Sequence, residues 1–390
     1  MKITGIRTRV VEWRGPTAPV PPHFCTNPMD LIAVPETSML GFRFHGWLIV
    51  ELFTNSGHVG IGNAALAPRL AKQTIDLYLR PLLLGADPFD TELLWQHMYR
   101  KTIAFGRKGA GMAAISAVDI ALWDLIGKAT GQPVFRLLGG RTKEKIPVYA
   151  SRLYAQPLEA LAAEAHRYKE QGYRAMKLRF GWGPADGSAG VERNLELVRT
   201  VCGTVGSGVD VMADAYMGWT LDYAHRMLRL LEPYRLRWLE EPLIPDDIHG
   251  YAELKAAGRV PIAGGEHEFT LYGFRQLLDA RALDYIQFDT NRAGGLTQAR
   301  KIAALAEAYS VPVIPHAGQM HNYHLVMATL SSPMAEFFPI VDVEVGNELF
   351  WYIFDGEPQP SGGFIQLRDD VPGLGLTIRE DGLDRFDVIE

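Results

Sequence analysis

The 390-residue sequence predicts an α/β fold, a parallel (β/α)8 barrel of the TIM type with an α+β region ahead of it. Three observations support this. Short β-like runs alternate with amphipathic helices from about residue 146 onward, eight runs over about 195 residues, which is the pattern of a parallel sheet with crossover helices. The C-terminal ends of those runs are unusually polar, and at that end of a barrel side chains from different strands meet. No G-x-G-x-x-G follows the first run, so an open doubly wound dinucleotide-binding sheet fits slightly less well.

The elements follow in order. "MKITGIRTRVVEW" and "HGWLIVELFTNSGHVGIG" alternate as strands do, and "NSG" inside the second marks a hairpin turn. Between them, "RGPTAPVPPHFCTNPMDLIAVPETS" is Pro-rich and aperiodic, a long loop of the kind that often serves function. From Leu70 to about Lys128 the pattern turns helical. "GAGMAAISAVDIALWDLIGKATGQP" is its clearest helix, ending at the stop signals Gly131 and Pro133. After "RLLGG" come the eight runs "KIPVYAS", "YRAMKLRF", "VDVMADAY", "LRWLEEP", "VPIAGGEH", "DYIQFDT", "VPVIPHA" and "AEFFP". From "FDGEPQPSGGF" the alternation is lost, and this tail is expected to pack back on the N-terminal region.

Composition narrows the function classes. Hydrophobic residues at 47% and charged residues at 22% are ordinary for a globular enzyme. A net charge of -6 without any basic run argues against nucleic acid. The N-terminus lacks the apolar core of a signal peptide, and no apolar stretch approaches the ~18–20 residues of a membrane span. Cys25 and Cys202 make neither a disulfide framework nor a thiolate metal site. A cytoplasmic protein is expected.

The ends of the runs carry Lys177, Arg179, Asp214, Glu240, Glu266, Asp289, His316 and Glu336. Asp214, Glu240 and Glu266 lie 26 residues apart, one per unit, so the three carboxylates converge toward one axis. A lone acid at a strand end is commonly a helix N-cap or a solvated loop residue. Three together repel unless a cation holds them, and an all-oxygen set suits a hard ion such as Mg²⁺. Glu240 and Glu241 are adjacent and point opposite ways on a strand, with Glu240 the first choice of ligand and Glu241 the second. A histidine before Ala-Gly is commonly a satisfied core residue. With Asp289 on the preceding run, however, a carboxylate fixes the imidazole tautomer and raises its basicity. "HNYH", with His321 and His324, is expected to open the helix after the seventh run and to be structural.

Together these segments resemble the enolase superfamily, and within it the mandelate racemase subgroup. The likeness runs through "SAVDIALWDLIGKATGQPVFRLLGG", Asp214, "WLEEP", "GGEH", "QFDTNRAGG", "VIPHAG" and "VPGLGL", nearly the whole chain. It implies a modified (β/α)8 barrel over 141–345 and an α+β capping domain over 1–140 that the C-terminal segment 346–390 completes. It implies one Mg²⁺ per subunit on Asp214, Glu240 and Glu266, Asp289 and His316 as the base dyad, and Glu336 hydrogen-bonded near the substrate carboxylate. Members remove a proton from the carbon beside a carboxylate, giving an enediolate that Mg²⁺ stabilises. The implied partners are a small-molecule sugar acid and further copies of the chain in a homo-oligomer, not nucleic acid or a membrane.

The second run departs from the common pattern of this family. Many members carry Lys-x-Lys there, the second lysine being a base; this chain has Lys177-x-Arg179, and arginine keeps its proton. A racemase working both faces of one carbon needs two bases, and His316 is the clear one. One-faced chemistry is therefore favoured: β-elimination of water from a sugar acid to a 2-keto-3-deoxy acid. His316 takes the α-proton and returns it to the departing 3-hydroxyl. Lys177 and Arg179 then bind the carboxylate, the hydroxyls or the enediolate. The alternatives are a racemase or epimerase of a 2-hydroxy acid with Lys177 opposed to His316, and a catalytically silent barrel.

Among acid-sugar dehydratases the chain is most similar to the L-rhamnonate dehydratases, in "HFCTNPMD", "WGP", "GEH" and "SPMAEFF". His23, Arg43 and Trp47 are candidates to reach over the barrel mouth to distal hydroxyls, against ordinary cap packing. His267, beside a candidate ligand, is a further candidate substrate contact.

Overall fold

A four-stranded antiparallel sheet forms from both ends of the chain. β1 (Ile3–Trp13) pairs with β2 (Gly46–Thr54) and β2 with β3 (Val59–Ala64). The C-terminal strand Phe386–Ile389 closes the other edge of β1, with Val10 opposite Ile389. The computed structural model describes residues 1–18, 20–32, 45–340 and 346–390. The "NSG" segment makes the β2–β3 turn, with Gly57 at φ +84° and its N–H donating to Thr54 O at 3.2 Å.

The helix Ala110–Thr130 lies on this sheet and ends at Gly131, whose φ of +65° is the left-handed cap that glycine takes at least cost. Its approach to β3 requires that Gly60 and Gly62 have no side chain: a Cβ would lie 2.2 Å from Ala121 O at the first and 1.9 Å from Ala117 O at the second. By length and composition this helix is apolar enough to cross a membrane, contrary to the expectation that no such stretch exists. Nearly all of it is buried, which is how the core helix of a globular protein passes the same test. It also joins the sheet to the rest of the molecule. Asp124 accepts from Ile61 N on β3 and from Leu374 N in the tail, while Trp123 Nε1 donates to Thr297 Oγ1 at 2.9 Å.

Seven parallel strands then follow in the ring order β10 (Ala335–Phe337), β4 (Ile146–Ser151), β5 (Ala175–Arg179), β6 (Asp210–Asp214), β7 (Leu239–Glu240), β8 (Ile262–Gly264) and β9 (Tyr285–Ile286). The seventh expected run, "VPVIPHA", fills the gap between β9 and β10 but makes only isolated bridges, Ile286 with Val313 and Asp289 with His316. Pro312 and Pro315 have no N–H to give, so a continuous ladder cannot form there. Helices such as Leu158–Glu170, Gly187–Val205 and Leu221–Leu231 connect the strands. The tail is not confined to the N-terminal sheet: Phe364–Ile365 pairs antiparallel with β4.

The barrel is plugged by one layer of inward side chains: Tyr149, Ala175, Met212, Trp238, Ala263, Ile314 and Met334 are all buried and packed together, with Tyr285 against them. Each strand contributes one residue, and burial of a large side chain there stabilises by about 1.5–3 kcal/mol.

Candidate active site

Successive inward positions on a strand are two residues apart. Two residues beyond each member of the plug stand Ser151, Lys177, Asp214, Glu240, Gly265, Gln287, His316 and Glu336. The strand ends thus exchange an apolar layer for a charged one in a single step.

Lys177 is the hub of its near side. Its Nζ pairs with Glu240 Oε1, with Glu336 Oε1 at 3.0 Å and with Asp214 Oδ2 at 3.5 Å, all of these groups being buried. Arg179 pairs with the same Asp214 oxygen, and its guanidinium lies 5.4 Å from the ring of Tyr154. Burial works against both cations, but the surrounding carboxylates outweigh it and hold each well above its ordinary pKa. Burial pushes the Glu240 carboxyl up to about 7; Lys177 pulls it down, and Asp214, Glu336 and Glu266 push it further up. Glu336 goes the other way: despite burial, Lys177 and His316 hold its carboxyl well below the usual range. Its Oε2 accepts from Ala317 N at 2.8 Å.

Glu240 spends both oxygens inside the barrel, Oε2 accepting from Trp238 Nε1 at 2.9 Å and Gln287 Nε2 at 2.8 Å. Glu241 does not simply point outward. With φ at +36° it leaves the strand in the left-handed region, and its Oε1 accepts from Gly265 N and its Oε2 pairs with His267 Nδ1 at 2.6 Å. Ligand atoms of Glu241, Glu266 and His267 lie within 4.8 Å of one another. The residue ranked second by sequence therefore groups with Glu266 and His267, while Asp214 and Glu240 both pair with Lys177.

Across the mouth, His316 Nδ1 lies 2.9 Å from Asp289 Oδ2. An ionised carboxylate only accepts, so Nδ1 carries the proton and Nε2 faces Glu266 Oε2 at 3.4 Å. Burial disfavours the charged ring, but Glu266, Glu336 and the Asp289 hydrogen bond outweigh it and push His316 up to about 9. Arg292 Nε sits 3.1 Å from Asp289 Oδ2, and its Nη1 lies 3.3 Å from Glu266 Oε1. Burial opposes, but Arg292 and His316 hold the Asp289 carboxyl below the ordinary range. A cavity beside the dyad is lined by Trp47, Asp289, Asn291, Arg292, His316 and Phe338.

The candidates from the cap fare differently. Trp47 reaches the dyad cavity. His23 stacks on Trp182 at 5.4 Å, with Nδ1 3.1 Å from Gly181 O, so it packs on the loop after β5 and not among the charged strand ends. Arg43 lies outside the described residues. Residues 24–26 do cover the strand ends: Thr26 N donates to Phe180 O, Thr26 Oγ1 to Ala215 O, and Phe24 stacks on Tyr154 at 3.9 Å. His321 and His324 lie in the helix Met320–Ala328; burial pushes His324 down to about 4, and its Nδ1 accepts from Phe135 N. Sequence reasoning missed Arg292. Its signal was the three-residue spacing from Asp289 in "DTNR", which puts both on one side of a helical turn.

The charge balance shows whether a metal ion suits this site. Six buried carboxylates, Asp214, Glu240, Glu241, Glu266, Asp289 and Glu336, face three buried obligate cations, Lys177, Arg179 and Arg292. Buried charge left uncompensated is costly, and oxygen donors in excess suit a hard divalent cation. The residues therefore fit Mg²⁺, which Asp214, Glu266 and either Glu240 or Glu241 would hold.

Comparison with known proteins agrees. Residues 32–139 match the family described as mandelate racemase / muconate lactonizing enzyme, N-terminal domain, and residues 160–382 match the family described as enolase C-terminal domain-like. The chain is 37% identical over 344 residues to L-rhamnonate dehydratase of Saccharopolyspora erythraea, covering 87% of this chain and 84% of that one. It superposes with a TM-score of 0.85 on rhamnonate dehydratase of Gibberella zeae complexed with Mg, at 32% identity, over 99% of this chain and 96% of that one. A racemase of Streptomyces coelicolor A3(2) with bound magnesium gives 0.83 at 29% identity, over 98% and 99%. The chain belongs to the mandelate racemase / muconate lactonizing enzyme family of the enolase superfamily.

Proposed function

We propose that the protein is a Mg²⁺-dependent sugar-acid dehydratase acting on L-rhamnonate or a related aldonate, with one ion per subunit of a homo-oligomer. The observation that carries this reading is the isolation of one base. Lys177 is ringed by three carboxylates and Arg179 is tied to Asp214, so both are held as cations, and the Asp289-backed His316 is left to accept a proton. The likeness to proteins named as rhamnonate dehydratases supports the substrate class.

With Nδ1 donating to Asp289, His316 Nε2 takes the proton from C2 of the acid. The C2 electrons form a C2=C3 bond as the C3–O bond breaks, and His316 returns its proton to the departing hydroxyl, releasing water. The enol tautomerises to a 2-keto-3-deoxy acid. Neutralising Glu266 lowers the hold on the His316 proton, because that carboxylate is one of the charges that keep it. Lys177 and Arg179 present positive charge to the substrate carboxylate, and Glu336 orients it. A bound Mg²⁺ supplies several kcal/mol of charge stabilisation when proton removal loads the carboxylate. Residues 1–140 with 346–390 form the cap over the 141–345 barrel, and Trp47, which lines the dyad cavity, and His267, beside Glu241, read the distal hydroxyls.

The test is a panel of aldonic and aldaric acids with Mg²⁺, followed by 2-keto acid formation. Turnover of L-rhamnonate or a close relative is expected. Deuterium exchange of the α-proton in D₂O with inversion and no keto product would instead make the enzyme a racemase using Lys177. Calorimetry of Mg²⁺ binding to Glu240→Gln and Glu241→Gln identifies the second ligand as the one whose loss weakens binding about 10-fold or more.

A further inference from the structure

Asn322 occupies an unusual place behind the dyad. It lies in the first turn of the helix Met320–Ala328, is fully buried, and is not among the residues that line the dyad cavity. Its amide Nδ2 donates to His316 O and to Ala317 O, each at 2.7 Å, while its Oδ1 accepts from Thr290 Oγ1 at 2.6 Å. Thr290 directly follows Asp289 in the chain and is itself fully buried. One side chain thus spends two donors on the segment that carries the histidine and its acceptor on the segment that carries the carboxylate.

The segment it holds is strained. Ala317 has φ +71°, the left-handed region that an alanine seldom adopts, and it persists only where its surroundings impose it. Ala317 N–H is anchored on Glu336 Oε2 and its C=O on Asn322, so the peptide after His316 is gripped from both sides. The amide orientation follows from the partners: turned over, its oxygen would face two carbonyls and its NH₂ would leave them without a donor.

We propose that Asn322 is a positioning residue that sets the Asp289–His316 geometry by clamping the two chain segments that carry the pair. The inference rests on the reading of His316 as the base, and its test separates the two. With the sugar acid turned over best in the panel, Asn322→Ala lowers kcat about 100-fold, the cost of a misplacement near 1 Å, and leaves KM within about threefold. Asn322→Asp, the same shape with an oxygen facing both carbonyls, does the same. Thr290→Val removes only the far end of the clamp and costs about 10-fold. Independently of activity, the Mg²⁺-loaded enzyme has a downfield proton resonance from the hydrogen-bonded Nδ1–H, identified by its loss in His316→Asn. That resonance shifts or broadens in Asn322→Ala and Thr290→Val. An unchanged resonance, or a kcat loss matched by loss of folded protein in both variants, overturns the proposal. If His316→Asn retains turnover while the resonance still responds to Asn322→Ala, the base assignment has failed and the clamp has not.

Discussion

Two layers of the barrel, two residues apart on every strand, differ completely in character. The lower one is Tyr149, Ala175, Met212, Trp238, Ala263, Tyr285, Ile314 and Met334; the upper one is Ser151, Lys177, Asp214, Glu240, Gly265, Gln287, His316 and Glu336. Both point inward and both are buried, Tyr285 alone being half-buried, so strand geometry does not distinguish them. The lower layer is closed by mutual apolar contact and lowers the free energy of the fold. The upper layer is held by opposed charges whose desolvation offsets much of what they return, and it persists for what it does to a substrate. Substitutions two residues apart should accordingly separate stability from activity.

The largest expected effect is in the upper layer. His316→Asn lowers turnover by roughly 10²–10⁴-fold while thermal unfolding stays near that of the parent, a contrast read from kcat and a melting curve. Lys177→Met tests where the division breaks: it leaves Asp214, Glu240 and Glu336 without their central cation and costs about 3–5 kcal/mol in urea unfolding. A loss of activity at unchanged stability would mean those carboxylates find other compensation. In the lower layer, Met212→Ala costs about 2–3 kcal/mol and leaves kcat within a few-fold. Loss of activity comparable to that of His316→Asn would show that the plug sets the site's geometry.

The smallest effect sharpens the contrast from outside both layers. Glu357 Oε1 accepts from Met320 N at 3.1 Å, and its Oε2 has no hydrogen-bond partner among the described residues. Burial, with no cation to offset it, pushes this carboxyl up from 4.5 to about 8. A folded-state value above the unfolded one means that the folded protein binds the extra proton, so this contribution to stability is full below about pH 4.5 and is lost as pH rises through about 8. Glu357→Gln flattens that slope and gains about 1 kcal/mol at pH 9, measured by unfolding across pH.

Much of this was legible in the chain. The eight runs show because apolar and polar residues recur at a fixed period, and in the N-terminal region Gly131 and "NSG" mark a helix end and a hairpin turn through backbone conformations that few residues adopt. The seventh run reads as a strand yet makes only bridges, since pattern reports which side chains face inward while Pro312 and Pro315 remove the donors a ladder needs. His23 and Trp47 were alike candidates to reach over the barrel mouth, but of the two only Trp47 comes to the dyad cavity. Arg292 was one charged residue among many until the turn after Asp289 brought it between two carboxylates.

By itself the sequence determined the alternation that makes a parallel sheet, the step from apolar to charged at the strand ends, and the recurrence of acids at each unit, because all three are local and periodic. Only the tertiary structure decided which of two adjacent glutamates turns toward Glu266, how three cations divide six carboxylates, and that Asn322 ties Thr290 to His316. Those outcomes depend on single left-handed residues, at Glu241 and Ala317, and on groups far apart in the chain meeting in a space from which water is excluded. No period in the sequence records either.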